Sequence, residues 1–201
     1  MKNGQLEKAF KAITKSATKS RPILGCLHVS SDGSAVVTDS HRLLRIDNWA
    51  EAGTQEMTLD LQTFRPQMDT SYPDTSRLIP TDFTCTLKVE STYLEKVMPL
   101  LKVKTDQGLA EISFAASAEE AELKFVVGSF TSVIPVKYSE GLTSFEITLN
   151  AKYLYDAFEF FKAYNIARPL NLVTIGFRTN LQPFVFKQDE ATYLVTPVRR
   201  F

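Results

Sequence analysis

Twice along the chain, alternation of apolar and polar positions gives way to a 3.6-residue period within a few residues. Phe83-Thr84-Cys85-Thr86-Leu87 alternates as a half-buried strand does. The helical pattern that follows from Tyr93-Leu94 puts Leu94, Val97, Met98 and Leu101 on one face, with Pro99 disturbing its end. Phe145-Glu146-Ile147-Thr148-Leu149 alternates in the same way and precedes Tyr153-Leu154. There Leu154, Ala157, Phe158 and Phe161 share a face and Asn150 is placed to cap the helix. Strand-like runs follow each helix, over 111–115, 122–127 and 131–137 after the first and over 170–177, 183–187 and 192–198 after the second.

The N-terminal stretch fits the same plan. A helix is expected over Gln5–Lys19, then strands near 25–30, 35–38 and 43–47, with Ser31-Asp32-Gly33-Ser34 as a hairpin turn. A unit of one helix and several antiparallel strands therefore recurs three times. Residues 58–64 open a fourth, shortened copy that Pro66 stops, and Pro73 and Pro80 bound a linker. Helices on antiparallel sheets make the expected class α+β. The expected division is a truncated domain with its linker over 1–82 and a complete domain over 83–201.

Composition narrows the class. The 201 residues are 44% hydrophobic and 23% charged, ordinary for a globular protein with a real core. No apolar run is long enough to span a membrane, and Met1–Glu7 lacks the apolar core of a signal peptide. Cys26 and Cys85 both fall in strand-like runs, which suits buried thiols in a reducing cytoplasm. Lysine plus arginine equals aspartate plus glutamate at 23 each. A free-standing DNA binder draws affinity from neutralised phosphates. A zero net charge therefore confines any nucleic-acid role to a local basic surface or to topology.

Two features are candidates for binding. On the first helix Leu6, Phe10, Ile13 and Ala17 fall in one narrow sector, while Lys8, Lys11, Lys15 and Lys19 line the opposite side. The stripe is either a plain solvated face or a face presented to phosphates, for which lysine suits a role that reads no base. The other two helices do not repeat it. The second feature is Thr38-Asp39-Ser40-His41-Arg42-Leu43, which joins two apolar strands. Such joints normally hold Gly, Asn or Asp for backbone reasons, so His41 and Arg42 are side chains the turn itself does not need.

This joint resembles the Thr-Asp-Gly-His-Arg-Leu signature of the bacterial DNA sliding clamp, the beta subunit of DNA polymerase III. Three further stretches resemble the same family in the same order: Tyr72-Pro73-Asp74-Thr75-Ser76-Arg77-Leu78-Ile79-Pro80, Leu149–Asp156, and Tyr193–Arg199. The resemblance implies the family's middle and last domains, the middle one shortened, with no counterpart of its first domain. It implies helices lining a hole around duplex DNA and sheets forming the outer wall. It also implies an apolar groove that takes short peptides of a DNA polymerase and other partner proteins.

Carried over position by position, that groove comprises Ile23, Thr38, Ser40, His41, Arg42 and Leu43, then Pro73, Arg77 and Leu78. Asn150, Tyr153, Leu181, Leu194, Thr196, Pro197, Val198 and Arg199 complete it. Ser40 stands where the family has Gly, and Thr196 where it has an apolar residue. The implied function is a cytoplasmic processivity factor, associated with duplex DNA as a homo-oligomer. The alternative is an adaptor that binds clamp-binding peptides without encircling DNA.

An enzyme is the disfavoured class. The chain has only His28 and His41, with no Cys-x-x-Cys and no Gly-rich phosphate loop. Asp39-Ser40-His41 holds the residue types of a hydrolase triad, but triad members converge from separate segments. No cofactor or metal is expected.

Overall fold

The computed structural model describes residues 3–17, 21–67, 71–115, 121–141, 144–165 and 171–199. The first unit is helix α1 (Asn3–Thr14) with strands β1 (Cys26–Val29), β2 (Ala35–Thr38) and β3 (Arg42–Ile46). Then come β4 (Met57–Asp60) and an irregular stretch. The next unit is β5 (Cys85–Glu90), α2 (Ser91–Leu101), β6 (Leu109–Ala115), β7 (Glu122–Val127) and β8 (Phe130–Pro135). After a short β9 (Tyr138–Glu140), the last unit is β10 (Phe145–Asn150), α3 (Ala151–Asn165), β11 (Leu172–Phe177), β12 (Phe184–Gln188) and β13 (Ala191–Val195).

The strands form two antiparallel sheets. One has nine strands in the order β4-β1-β2-β3-β13-β12-β11-β5-β9, and the other is β10-β6-β7-β8. The repeat is visible in this order. β10 lies beside β6 as β4 lies beside β1, so β10-β6-β7-β8 and β4-β1-β2-β3 are the same arrangement used twice. β3 then pairs with β13, with Leu43 opposite Leu194 and Arg42 opposite Val195. One sheet thus runs without a break across the boundary expected at residues 82 and 83.

Each helix buries the face its pattern marks. Phe10 and Ile13 of α1, Leu94, Val97 and Leu101 of α2, and Leu154, Ala157, Phe158 and Phe161 of α3 all join one core. That core is rich in phenylalanine. Phe158, Phe161, Phe184 and Phe186 are at most 1% exposed, and each such ring is worth about 1.5–3 kcal/mol of transfer free energy. Edge-to-face contacts, such as Phe184 on Phe186 at 5.3 Å, fix their mutual geometry. A second, smaller cluster lies apart from it: Val36, Leu43, Tyr72, Val185 and Leu194, with Ile23, Ile79 and Phe83 packed against them. This second cluster explains why β2 and β13 are buried at every position rather than at alternate ones.

Three details differ from the sequence pattern. α1 stops at Thr14 instead of reaching Lys19. Ser16 and Ala17 bond back three residues rather than four, and Ser16 Oγ donates to the Ile13 carbonyl. The shortened fourth copy has its strand, β4, but no α-helix among the described residues. Asp60 Oδ1 accepts the N–H groups of Gln62 and Thr63, folding the chain into a turn where a helix would start. β9 has no counterpart in the pattern, being three residues long. Cys26 and Cys85 are buried and form no disulfide, and no helix among the described residues is long and apolar enough to cross a membrane.

Candidate functional site

The Thr38–Leu43 joint is organised by Asp39. Its Oδ1 accepts the backbone N–H groups of His41 and Arg42, both at 3.0 Å, which is an Asx turn closed twice. Its Oδ2 accepts Arg42 Nε at 2.9 Å and Ser16 Oγ at 2.7 Å. Thr38 Oγ1 donates to the Arg42 carbonyl at 2.7 Å and accepts the Ser40 N–H at 3.2 Å. Ser40 sits at φ +77°, in the left-handed region. That geometry accounts for a glycine preference at this position.

Arg42 is not groove surface, contrary to the expectation. It is 3% exposed, and its guanidinium joins three elements of the fold. Nη1 donates to Asp156 Oδ2 of α3 at 2.5 Å, and Nη2 donates to the Ala12 carbonyl of α1 at 2.7 Å and to Ser16 Oγ at 3.1 Å. The cation also lies 4.4 Å from the Tyr153 ring centre. Asp156 holds Lys152 as well. A guanidinium taken out of water requires this density of partners, and the turn needs Arg42 after all.

Thr38, Leu43 and Leu194 are corrected in the same way. They are 4%, 0% and 3% exposed, so they lie beneath the surface. Leu43 and Leu194 belong to the cluster that also holds Tyr72 of the linker, with Ile23 at its margin. Tyr72 stacks face to face on His28 at 4.6 Å.

Of the remaining residues, His41, Tyr153 and Thr196 come together at the β3–β13 joint. His41 is exposed, and its ring stacks near Tyr153 at 6.2 Å. The His41 carbonyl accepts both the N–H and the Oγ1 of Thr196, at 2.8 and 2.9 Å. Asn150 Oδ1 caps α3, accepting the N–H groups of Lys152 and Tyr153 at 2.9 and 3.2 Å. Burial raises the Tyr153 pKa, and the nearby Asp39 adds to the rise, so the phenol stays a hydrogen-bond donor at neutral pH. The N–H of Val198 bonds the Thr148 carbonyl at 2.8 Å, carrying the segment past Pro197 along β10. There Leu181, Val198 and Arg199 open a groove of about 550 Å³ with Glu146, Thr148 and Asn180. Leu181 and Val198 are 61% and 36% exposed. In the linker Pro73, Arg77 and Leu78 are exposed, and Arg77 pairs with Asp74 of its own turn at 3.7 Å.

Sequence reasoning missed Asp39 as the organiser of the turn, although Asp two residues before the turn's end is a recognisable Asx signal. It also missed Asp156, Glu146 and Asn180, for which nothing local gives a signal.

The lysine stripe is partly neutralised. Lys8 Nζ pairs with Glu159 of α3 at 3.0 Å, and Lys11 pairs with Glu7 at 2.6 Å. Lys15 is exposed, and Lys19 lies outside the described residues.

No protein-family model matches the chain. The beta sliding clamp of Streptococcus pneumoniae is 28% identical over 240 residues, covering 96% of this chain and 61% of the relative. That of Lactococcus lactis is 33% identical over 143 residues, covering 64% of this chain and 34% of the relative. The crystal structure of the DNA polymerase sliding clamp from Bacillus subtilis superposes with a TM-score of 0.76 at 18% identity, over 98% of this chain and 62% of that one. The chain thus spans about three fifths of the length of the first of these relatives. A strand order used twice, a sheet continuous through the β3–β13 joint, and likeness along nearly the whole chain lead to one conclusion: the chain has the sliding-clamp fold and is similar to about three fifths of the bacterial DNA polymerase III beta sliding clamps.

Proposed function

We propose that the chain is a non-catalytic replication processivity factor of the sliding-clamp type. It holds short peptides of a DNA polymerase and of other partners at the β3–β13 joint, and it associates with duplex DNA as an oligomer in the cytoplasm. Such a factor makes no covalent chemistry. It keeps a polymerase beside DNA and so turns rebinding into a local event at high effective concentration.

The observation that carries this reading is the groove of about 550 Å³ at Leu181, Val198 and Arg199, on the segment that leaves the β3–β13 joint through Thr196. Its size falls in the range of ligand sites, and its lining mixes the apolar Leu181 and Val198 with the polar Glu146, Thr148, Asn180 and Arg199, so a peptide would meet both apolar contact and hydrogen-bonding groups there. Leu181 and Val198 offer apolar contact and Arg199 a hydrogen-bonding cation in the groove, while His41 and Tyr153 offer a separate stacked pair at the β3–β13 joint. The resemblance would add Ser40, Thr196, Pro197, Ile23 and the exposed Pro73, Arg77 and Leu78 to this surface. Thr196 makes this surface more polar than an apolar residue would.

The test is fluorescence anisotropy with a labelled clamp-binding peptide from a replicative polymerase. Tyr153→Ala and Leu181→Ala each remove an anchor, and each is expected to weaken binding about 5- to 30-fold. A wild-type chain that binds no such peptide sinks the reading. The paired state of Lys8 and Lys11 favours a second reading, an adaptor that binds the peptides without holding DNA. Retention on closed circular DNA in moderate salt separates the two, since a topological link survives salt that dissociates phosphate contacts.

A further inference from the structure

We propose that the seam between α1 and α3 is a binding site for a small, uncharged aromatic compound that accepts one hydrogen bond, donated by the Tyr193 hydroxyl. The inference goes beyond the peptide groove and does not depend on it.

The seam is built from small side chains. Ala9 and Ala12, three residues apart on one face of α1, share a cavity with Ala163 of α3. Side chains of this size leave about 200 Å³ between the helices, with the Phe160 ring as one wall and Tyr193 of β13 lining it from the sheet. An apolar cavity of about 150 Å³ holds benzene, so this one suits a single ring with a short substituent. The site joins the two ends of the chain, since α1 belongs to the first unit and α3 and β13 to the last.

The charges around the cavity are already matched. Lys8 pairs with Glu159 across the seam at 3.0 Å, and Lys162 pairs with Glu95 at 2.9 Å. Asp156 is held by Arg42 and Lys152. Each charged side chain of the lining thus has an opposite partner, and none is left over to attract an ion. That balance selects a neutral ligand.

One polar group is not matched. Tyr193 is 1% exposed, and its hydroxyl has no hydrogen-bond partner among the described residues. A buried phenol ordinarily finds one. The hydroxyl feels the charges of Arg42 and Asp156, and Asp156 lines the cavity with it. Burial raises the phenol's pKa against the pull of the Arg42 cation, so the proton stays in place. The cation attracts the lone pairs of the oxygen and turns the O–H away from itself. Tyr193 is therefore a donor without an acceptor, and a carbonyl oxygen or ring nitrogen on the ligand supplies one.

The probe is benzamide, with toluene as the same ring lacking an acceptor, and the readout is amide-resolved NMR of the full chain. Benzamide is expected to shift the amides of Ala9, Ala12 and Ala163 saturably, with a Kd on the order of 1 mM for a compound of this size. Toluene should bind about 5-fold more weakly, the worth of one neutral hydrogen bond. Tyr193→Phe keeps the ring and removes only a hydroxyl that has no partner. It is expected to leave the melting transition unchanged and to abolish the preference for benzamide. Ala163→Leu fills the cavity and should abolish binding of both probes. Absence of a saturable shift at these amides overturns the inference. So does binding that survives Ala163→Leu, or a preference for benzamide that survives Tyr193→Phe. If Ala163→Leu fails to fold, the Tyr193→Phe comparison decides. A chain that takes benzamide but no clamp-binding peptide leaves this inference standing and sinks only the groove.

Discussion

Replacing Arg42 by alanine tests whether this residue belongs to the fold or to the groove. The change removes a cation whose Nε and Nη1 hold Asp39 and Asp156, carboxylates 1% and 6% exposed. Removing one partner of a buried pair costs about 3–5 kcal/mol, because the other charge stays buried. Asp39 keeps Ser16 Oγ and two backbone N–H groups, and Asp156 keeps Lys152, which places the cost at the low end, about 3 kcal/mol. In urea, with a slope of about 2–3 kcal/mol/M for a chain of this size, the midpoint should fall by about 1 M. Arg42→Lys should recover only part of this, since one ammonium cannot span Asp39, Asp156 and the Ala12 carbonyl. The assay is urea unfolding followed by circular dichroism, with peptide anisotropy on the same samples. A loss below about 1 kcal/mol refutes the argument. An unchanged midpoint with abolished peptide binding refutes it more sharply, since the guanidinium would then have to face the groove.

Ser40→Gly should stabilise the chain by about 0.5 kcal/mol, because relief of left-handed strain exceeds the added freedom of the unfolded chain; a lower urea midpoint would contradict this. Gly176→Ala would set its Cβ 2.5 Å from the Phe83 ring, so Phe83 must leave the Tyr72 cluster at a cost of about 1–3 kcal/mol, readable as a lower midpoint. Burial lowers the pKa of His28 from 6.5, with Glu56 and Asp32 opposing the shift less strongly. The unfolded chain then takes up the proton first, so this contribution is fully present above pH 6.5 and is lost as the pH falls through and below it. Urea midpoints at about pH 7.5 and about pH 5.5 should differ more for wild type than for His28→Gln, and equal differences would exclude His28 as the source.

Much of the architecture can be read from the chain because local and global signals agree. The switch from period 2 to period 3.6 marks β5 with α2 and β10 with α3, and Asn150 caps α3 as its position suggests. The end of α1 is not readable, since Ser16 turns away to reach Asp39, a residue 23 positions on. The site shows the same split. His41 of the Thr38–Leu43 joint meets Tyr153 at the start of α3 and Thr196 after β13, three segments far apart in the chain. The burial of Arg42 depends on Asp156, 114 residues away, and that of Leu43 and Leu194 depends on where Tyr72 of the linker comes to rest. Such long-range packing leaves no periodic trace.

The placement of Arg42 changes what its surrounding motif can be taken to report. Asp39 and Arg42 answer to the interior, so a descendant that had shed every partner would still be held to them by the requirement to fold. Ser40 and His41 face solvent and answer to whatever docks there. In this stretch Asp39 and Arg42 are therefore a record of architecture. The two letters between them are where gain, loss or exchange of partners would first be written.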